Sequence, residues 1–301
     1  LVIKNRTVQN YRPELLKKNV SSWLIMFPTL ILFAFFVWVP LIGSVRLSLY
    51  NAQGIRLQEF VGFENYIRVF KHPDFLAAFR NTFVYIFWSL ILGFWVPIIM
   101  AALISEVANF KNAFRVGVYF PNIIPGLATS LIWGFFFRPG PTGVLNILLG
   151  KIGINPLVWL TNPRLTIPLI VLTMTWKSAG STALIYMAGM SNISSDLYEA
   201  ATIDGATPFK RFLHITMPSI LSLGKTLLIL QIIAVFQILY EPLILTNGGP
   251  NNASISIMQL VYNYAFRDFK YPMAASLSVL ICIVLVILTV VYFRITKTSN
   301  D

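Results

Sequence analysis

Between Leu165 and Met190 the sequence carries a single charge, Lys177. An ammonium group in hydrocarbon costs roughly 2.5–3.5 kcal/mol on insertion scales, so it normally faces a partner or a water-filled cavity. Trp176, Ser178, Ser181 and Tyr186 accompany it. At about 3.6 residues per turn, Lys177, Ser178 and Ser181 share a helix face. A second apolar stretch, 226–245, holds Gln231, Gln237, Tyr240 and Glu241. Aromatic platforms beside amides and hydroxyls are the groups that hold polyhydroxylated ligands without covalent chemistry. Lys177 has two readings, an internal ion pair with Glu241 or a cavity cation that would suit an anionic ligand. Gln231 and Gln237 fit equally as interhelical hydrogen-bonders or as ligand contacts.

Covalent chemistry finds no foothold. His72 and His214 lie in different polar segments without a partner at metal-ligand spacing, and Cys282 is the only cysteine, so no internal disulfide can form. Leu223-Gly-Lys-Thr226 ends like a phosphate-binding loop, but the required glycine five positions before Gly224 is Ser219, and no strand precedes it. Asn252-Ala-Ser254 matches a glycosylation sequon and carries little weight. With no nucleophile triad or carboxylate dyad, the chain is not expected to be an enzyme. No metal or cofactor of its own is expected.

The elements that must position these residues are membrane helices. Of 301 residues, 56% are hydrophobic and 11% charged, against about 25% charged in a soluble domain. A span needs about 20 apolar residues. Four uncharged runs qualify: 23–45, 81–105, 116–137 and 271–293. Two more qualify with one charge each, 165–190 and 226–245. The expectation is therefore an all-α integral membrane protein with six spans and both termini on one side. A basic segment, 1–22, precedes a six-helix domain, 23–298. The basic flank and the lack of an A-x-A-type end predict a retained first helix rather than a cleaved signal peptide. Five of the 23 basic residues (Lys4, Arg6, Arg12, Lys17, Lys18) lie in that flank, which suits a cytoplasmic tail better than a nucleic-acid patch.

Between the fourth and fifth spans, in the loop 191–220, lies a compact polar unit. Asp196 with Glu199 three residues on has the form of an N-cap with its reciprocal partner. Leu197, Ala200, Ala201 and Ile203 form a short amphipathic helix, stopped at Asp204-Gly205. Thr207 with Pro208 starts a second helix, striped by Phe209, Phe212 and Leu213 and expected to end at Pro218. The residues alone leave open whether this is an interfacial re-entry or a knob for a soluble partner.

Glu199-Ala-Ala201, Gly205, Ile215, Met217 and Pro218 reproduce the spacing of the EAA loop of permease subunits of ATP-binding-cassette importers, with Met217 where the pattern usually has Leu. Val61-Gly-Phe-Glu-Asn-Tyr-Ile67, Ala78-Phe-Arg-Asn-Thr82 and Thr246-Asn-Gly-Gly-Pro250 resemble the carbohydrate branch, similar to maltose and glycerol-3-phosphate permeases. The likeness runs from about residue 23 to 293. It implies a type I importer permease fold in a bacterial cytoplasmic (inner) membrane, with both termini cytoplasmic. It further implies pairing with a second homologous permease, two ATPase subunits that hold ATP and Mg, and an external solute-binding protein. Glu199, Ala200, Ala201, Asp204, Gly205, Ile215 and Pro218 would then couple to the ATPase. In related maltose permeases the stretch around Lys177 helps line the sugar pocket. A lysine there resembles a feature suited to the alginate-importer type, which handles uronate oligosaccharides. The rival classes are a stand-alone secondary transporter, disfavoured by having only Lys177 and Glu241 as ionisable groups in the spans, and a membrane-embedded enzyme, which lacks a catalytic constellation.

Overall fold

The computed structural model describes residues 11–54, 56–106 and 110–297. Helix α1 covers 11–48 as Tyr11–Phe33, a π-helical turn Ala34–Trp38, and Val39–Ser48. A small antiparallel hairpin follows, β1 (Tyr50–Gln53) and β2 (Arg56–Phe60), then α2 (Glu64–Lys71) and α3 (Pro73–Glu106), with a π turn at Leu90–Phe94. Helices α4 (Lys111–Ile123), α5 (Gly126–Phe136), α6 (Val144–Gly150) and α7 (Pro163–Met190) come next. The remainder is α8 (Ser195–Ile203), α9 (Pro208–Phe236, with a π turn at Phe212–Thr216), α10 (Tyr240–Leu245), α11 (Ile257–Tyr262, continued by a π turn Asn263–Arg267) and α12 (Tyr271–Lys297).

Among the described residues, four helices are long and apolar enough to cross a membrane, at Ser22–Ser48, Pro73–Glu106, Pro208–Phe236 and Tyr271–Thr296. The expected third span, 116–137, is not one straight helix: α4 and α5 meet at a 96° bend. Pro121, Pro125 and Gly126 cause it, because Pro125 removes a backbone donor and holds Ile124 extended (φ −68°, ψ 128°). The expected fourth span is one helix of 28 residues, yet it carries four threonines, two serines and Lys177 and is more polar than the others. The expected fifth span is also shifted. Its helix ends at Phe236 with Gln237 as C-cap, so Tyr240 and Glu241 stand on the separate short helix α10.

Three prolines sit inside continuous helices just beyond a π turn: Pro40, Pro97 and Pro218. A proline ring clashes with the carbonyl four residues earlier. Those residues are Phe36, Gly93 and His214, and each lies within the π turn, where the ladder is widened. Pro218 therefore does not end the second helix of the polar unit: Met217 N–H bonds the Phe212 carbonyl five residues back, and α9 runs on into the membrane-length helix.

The core has three clusters. One surrounds Tyr264, Leu260 and Leu277, a second Ile98, Ala183 and Tyr186, and a third Tyr85, Ile170 and Val235. Helix α1 stands apart, with none of its most apolar window buried. Only its end joins the bundle, where Val39–Ser48 packs on α12 and the buried Asn65 of α2 donates to the Ser48 and Tyr50 carbonyls at 3.1 and 3.0 Å. The charged residues Lys4 and Arg6 of the expected basic segment lie outside the described residues, whereas from Tyr11 onward the backbone is helical.

Candidate functional site: a broken span and a capped helical hairpin

The break between α4 and α5 gathers most of the residues singled out around Lys177. Lys177 Nζ donates to the Ile124 carbonyl at 2.8 Å, capping the C-terminal end of α4, where a cation complements the helix dipole. No contact within 4 Å joins Lys177 to Glu241 among the described residues; the direct partner of the ammonium is the Ile124 carbonyl, and Glu241 acts on it only through space. Ser181 Oγ lies 3.5 Å from Asn122 Oδ1 and donates to the Ser178 carbonyl at 2.8 Å. Ser178 turns back on its own helix, to the Met174 carbonyl at 2.9 Å. The exposed Trp176 ring meets Trp133 of α5 edge-on at 5.7 Å. The Tyr240 ring approaches Gly126 at the start of α5, and α10 with Glu241 packs along α5.

Other candidates belong elsewhere. Tyr186 is 1% exposed within the cluster of Ile98, Ala183 and Ile220, so it is core and lines no ligand space near Lys177. Gln231 Nε2 donates to both the carbonyl and the Oγ of Ser89, each at 2.6 Å, which makes it an interhelical brace. Gln237 is exposed and faces Ser278 and Cys282 of α12 across a separate groove.

Sequence reasoning missed Thr129, Ser130 and Trp133 on α5. All three have a buried polar atom without a hydrogen-bond partner among the described residues, and Thr129 and Ser130 are wholly enclosed. An apolar run read as one span hides such residues; the signal was the Pro-x-x-x-Pro-Gly spacing at 121–126, which marks a break. Gly180 is a further finding. Any Cβ there would overlap the Val118 carbonyl oxygen, so α4 and α7 cross in backbone contact.

The polar unit is a capped helical hairpin. Its first N-cap is Ser194, which accepts from Asp196 N–H at 3.3 Å, and not Asp196 itself. Helix α8, with Glu199, Ala200 and Ala201, ends in a Schellman motif. Ala206 N–H bonds the Ala201 carbonyl at 2.8 Å and Gly205 N–H bonds the Thr202 carbonyl at 3.0 Å. Asp204 is the C-cap and Gly205 adopts φ +75°. Thr207 caps the second helix with Pro208 in its first turn, as expected. Tyr198 OH pairs with Thr216 Oγ1 at 2.9 Å and Arg211 donates to Thr202 at 3.0 Å, which fixes α8 against α9. Ile215 and Pro218 lie in and just after the π turn of α9. Leu197, Ile203 and Phe209 project outward, 52%, 86% and 69% exposed.

Two sequence segments far apart in the chain also meet. Asn81 donates to the Asn252 and Ile255 carbonyls at 2.8 and 3.0 Å, and Tyr85 donates to Ser254 at 2.8 Å. Asn252 of the apparent sequon donates its amide to Asp74 at 2.6 Å and so has a structural role.

The family model for binding-protein-dependent transport system inner membrane components matches residues 93–297, more than half of the chain. The chain belongs to that family. This permease is 30% identical over 284 residues to the trehalose/maltose transport system permease protein of Thermococcus litoralis, covering 93% of this chain and 95% of the relative. It also superimposes with TM-score 0.84 on the crystal structure of a bacterial ABC transporter involved in import of the acidic polysaccharide alginate. That match is 26% identical and covers 96% of this permease and 99% of the other chain. A crystal structure of bacterial alginate ABC transporter in complex with alginate pentasaccharide-bound periplasmic protein matches with TM-score 0.84 and 26% identity, covering 96% and 98%. The permease thus has the type I ABC importer fold.

Proposed function

We propose that this permease forms half of the translocation path of an ATP-driven carbohydrate importer. A second permease, two ATPase subunits carrying ATP and Mg, and an external solute-binding protein complete the assembly. Counting α7 and the α4–α5 pair as spans gives six crossings with both termini cytoplasmic. The capped hairpin docks into an ATPase through the outward apolar set of Leu197, Ile203 and Phe209, with the exposed Glu199 and Ala200 on the same hairpin. The sugar contacts the rim of the broken span. Trp176 and Tyr240 supply platforms, while Lys177, Ser181 and Glu241 supply polar groups. Broken helices buried in protein can expose backbone polar groups to cargo without facing lipid.

The observation that carries this reading is the clustering of Lys177, Ser181 and Tyr240 on residues 122–126, with Trp176 against Trp133 and the Glu241 helix beside α5. Lys177 uses one of its three donors on the Ile124 carbonyl and has no carboxylate within 4 Å among the described residues, so two donors remain to offer. That favours an anionic cargo such as a uronate oligosaccharide. The carbonyl cap also gives Lys177 a purely structural task, which favours neutral sugars as the second reading. ATPase activity of the reconstituted complex with its binding protein separates the two. Lys177→Gln keeps a donor for Ile124 and removes the charge. Stimulation by uronate oligosaccharides that falls at least tenfold in this variant supports the anionic reading. Stimulation by neutral sugars, unchanged in Lys177→Gln, supports the other. An ATPase that no carbohydrate stimulates rejects both.

A further inference from the structure

Three helices reach a membrane face at one place. Helix α3 ends at Glu106, α7 ends at Met190, and α9 begins at Pro208. Between their ends and α8 lies a cavity of about 720 Å³. It lies at the opposite end of α7's C-terminal half from the Lys177 cluster and shares no residue with it. Its lining is largely apolar, with Met187 and Phe212 beside the exposed Ile99 and Leu103, and two guanidinium groups, Arg115 and Arg211, line it with one carboxylate, Glu106.

The charges are unevenly matched. Arg211 Nη1 donates to Thr202 at 3.0 Å, and its Nη2 lies 3.8 Å from Glu106, whose side chain is 61% exposed. Arg211 Nε is buried with no partner among the described residues. Arg115 has no carboxylate partner among the described residues. A buried guanidinium N–H without an acceptor is costly to leave unmade, and guanidinium groups bind phosphate oxygens through paired N–H donors. An apolar wall and two arginines on one cavity call for an amphiphile. A neutral lipid would leave the guanidinium groups unanswered, and a free anion would leave the wall bare. The level also fits, because headgroups lie where spans end, and basic pockets between membrane helices bind anionic headgroups.

We propose that this cavity binds an anionic phospholipid, its phosphodiester on Arg211 and Arg115 and one acyl chain along Ile99 and Leu103. The bound lipid bridges α3 to the hairpin through Arg211. The cavity shares Phe209 with the proposed ATPase-docking surface, but the lipid site rests on neither that docking nor the identity of the cargo.

The test is lipid retention by the purified, assembled transporter, read by native mass spectrometry with phosphatidylglycerol and phosphatidylcholine at equal concentration. Phosphatidylglycerol should be retained about tenfold over phosphatidylcholine. The preference should fall to parity in Arg115→Gln/Arg211→Gln. Ala102→Trp fills the recess while leaving both arginines in place, and it should also abolish retention; it decides the matter if the double variant does not assemble. A wild-type ratio near one, or a preference that survives Ala102→Trp, overturns the proposal. Inorganic phosphate displacing the lipid at equal concentration also overturns it, since the site would then be an anion site without an acyl recess.

Discussion

Gln231 shows how a residue of ambiguous chemistry resolves into a role. Its amide reaches the carbonyl of Ser89, the residue just before the π turn of α3, and Ser89 Oγ as well. A Cβ on Gly93 would lie 2.6 Å from Gln231 Nε2, so a glycine in that turn makes room for the amide. Gln231→Leu should cost about 1 kcal/mol, the size of a hydrogen bond between membrane helices. Gly93→Ala should cost at least as much by displacing the amide. Thermal denaturation of the two single variants and the double variant tests this; full additivity would show that Gly93 does not serve Gln231. Gly205 is the second such residue. No neighbour lies within 4 Å of a Cβ built there, so space is not what excludes a side chain; φ +75° is. Gly205→Val strains the Schellman turn by roughly 1–2 kcal/mol. It should therefore lower transport per ATP hydrolysed while the complex still assembles. Wild-type uptake by the variant would sink the coupling role of Gly205. The cap residues Thr207 and Pro208 and the stop at Gly205 were legible in the sequence because capping chemistry is local. The Ser194 cap was missed because Ser194, Ser195 and Asp196 can all cap, and only the backbone chooses among them.

At the scale of elements, hydropathy located the apolar stretches but not their geometry. A run such as 116–137 reads as one span because Ile124, Pro125 and Gly126 are themselves uncharged, yet α4 and α5 turn through 96° there. Lys177 was conspicuous in the sequence, whereas its partner, a main-chain carbonyl, has no signature that a sequence can display. The π turns were equally hidden, though Pro40, Pro97 and Pro218 mark three of the four once their positions relative to the turns are known. A π turn holds one residue more than an α turn, which offsets everything beyond it by about 100°. Deleting Leu213 should restore α-helical register in α9 and rotate the hairpin relative to the span. The expected result is an assembled transporter whose ATPase no longer responds to its binding protein. A deletion variant with the wild-type response would show that the turn only accommodates Pro218. The α4–α7 crossing makes a sharper expectation. Gly180→Val must separate two backbones in contact, so the amount of folded permease in the membrane should drop several-fold, whereas Gly189→Ala, beside the flexible Leu223 side chain, should be milder. Equal yields of the two variants would argue against that backbone contact as a folding requirement.

The whole molecule is a bundle with one helix held at arm's length. The apolar window of α1 is unburied over a length that spans a bilayer, with Phe36 76% and Ile25 75% exposed. If α1 lies on a second permease, Phe36→Cys in a Cys282→Ser background should cross-link to that subunit. Capture by lipid-soluble maleimide alone, with no inter-subunit product, would place α1 in lipid. The composition announced the membrane and the EAA-type spacing announced the fold, but neither could reveal that α1 lacks neighbours, since burial depends on where other helices go. This arrangement bears on biogenesis. The intrachain anchor of α1 is α12, reached through Val39–Ser48 and sealed by Ser276 Oγ on the Ser48 carbonyl at 3.3 Å, 228 residues away. During synthesis, at about 5–20 residues per second, α1 enters the bilayer and waits tens of seconds for that partner. Through this interval its apolar surface must be tended by lipid, by the insertion machinery or by another subunit already in place.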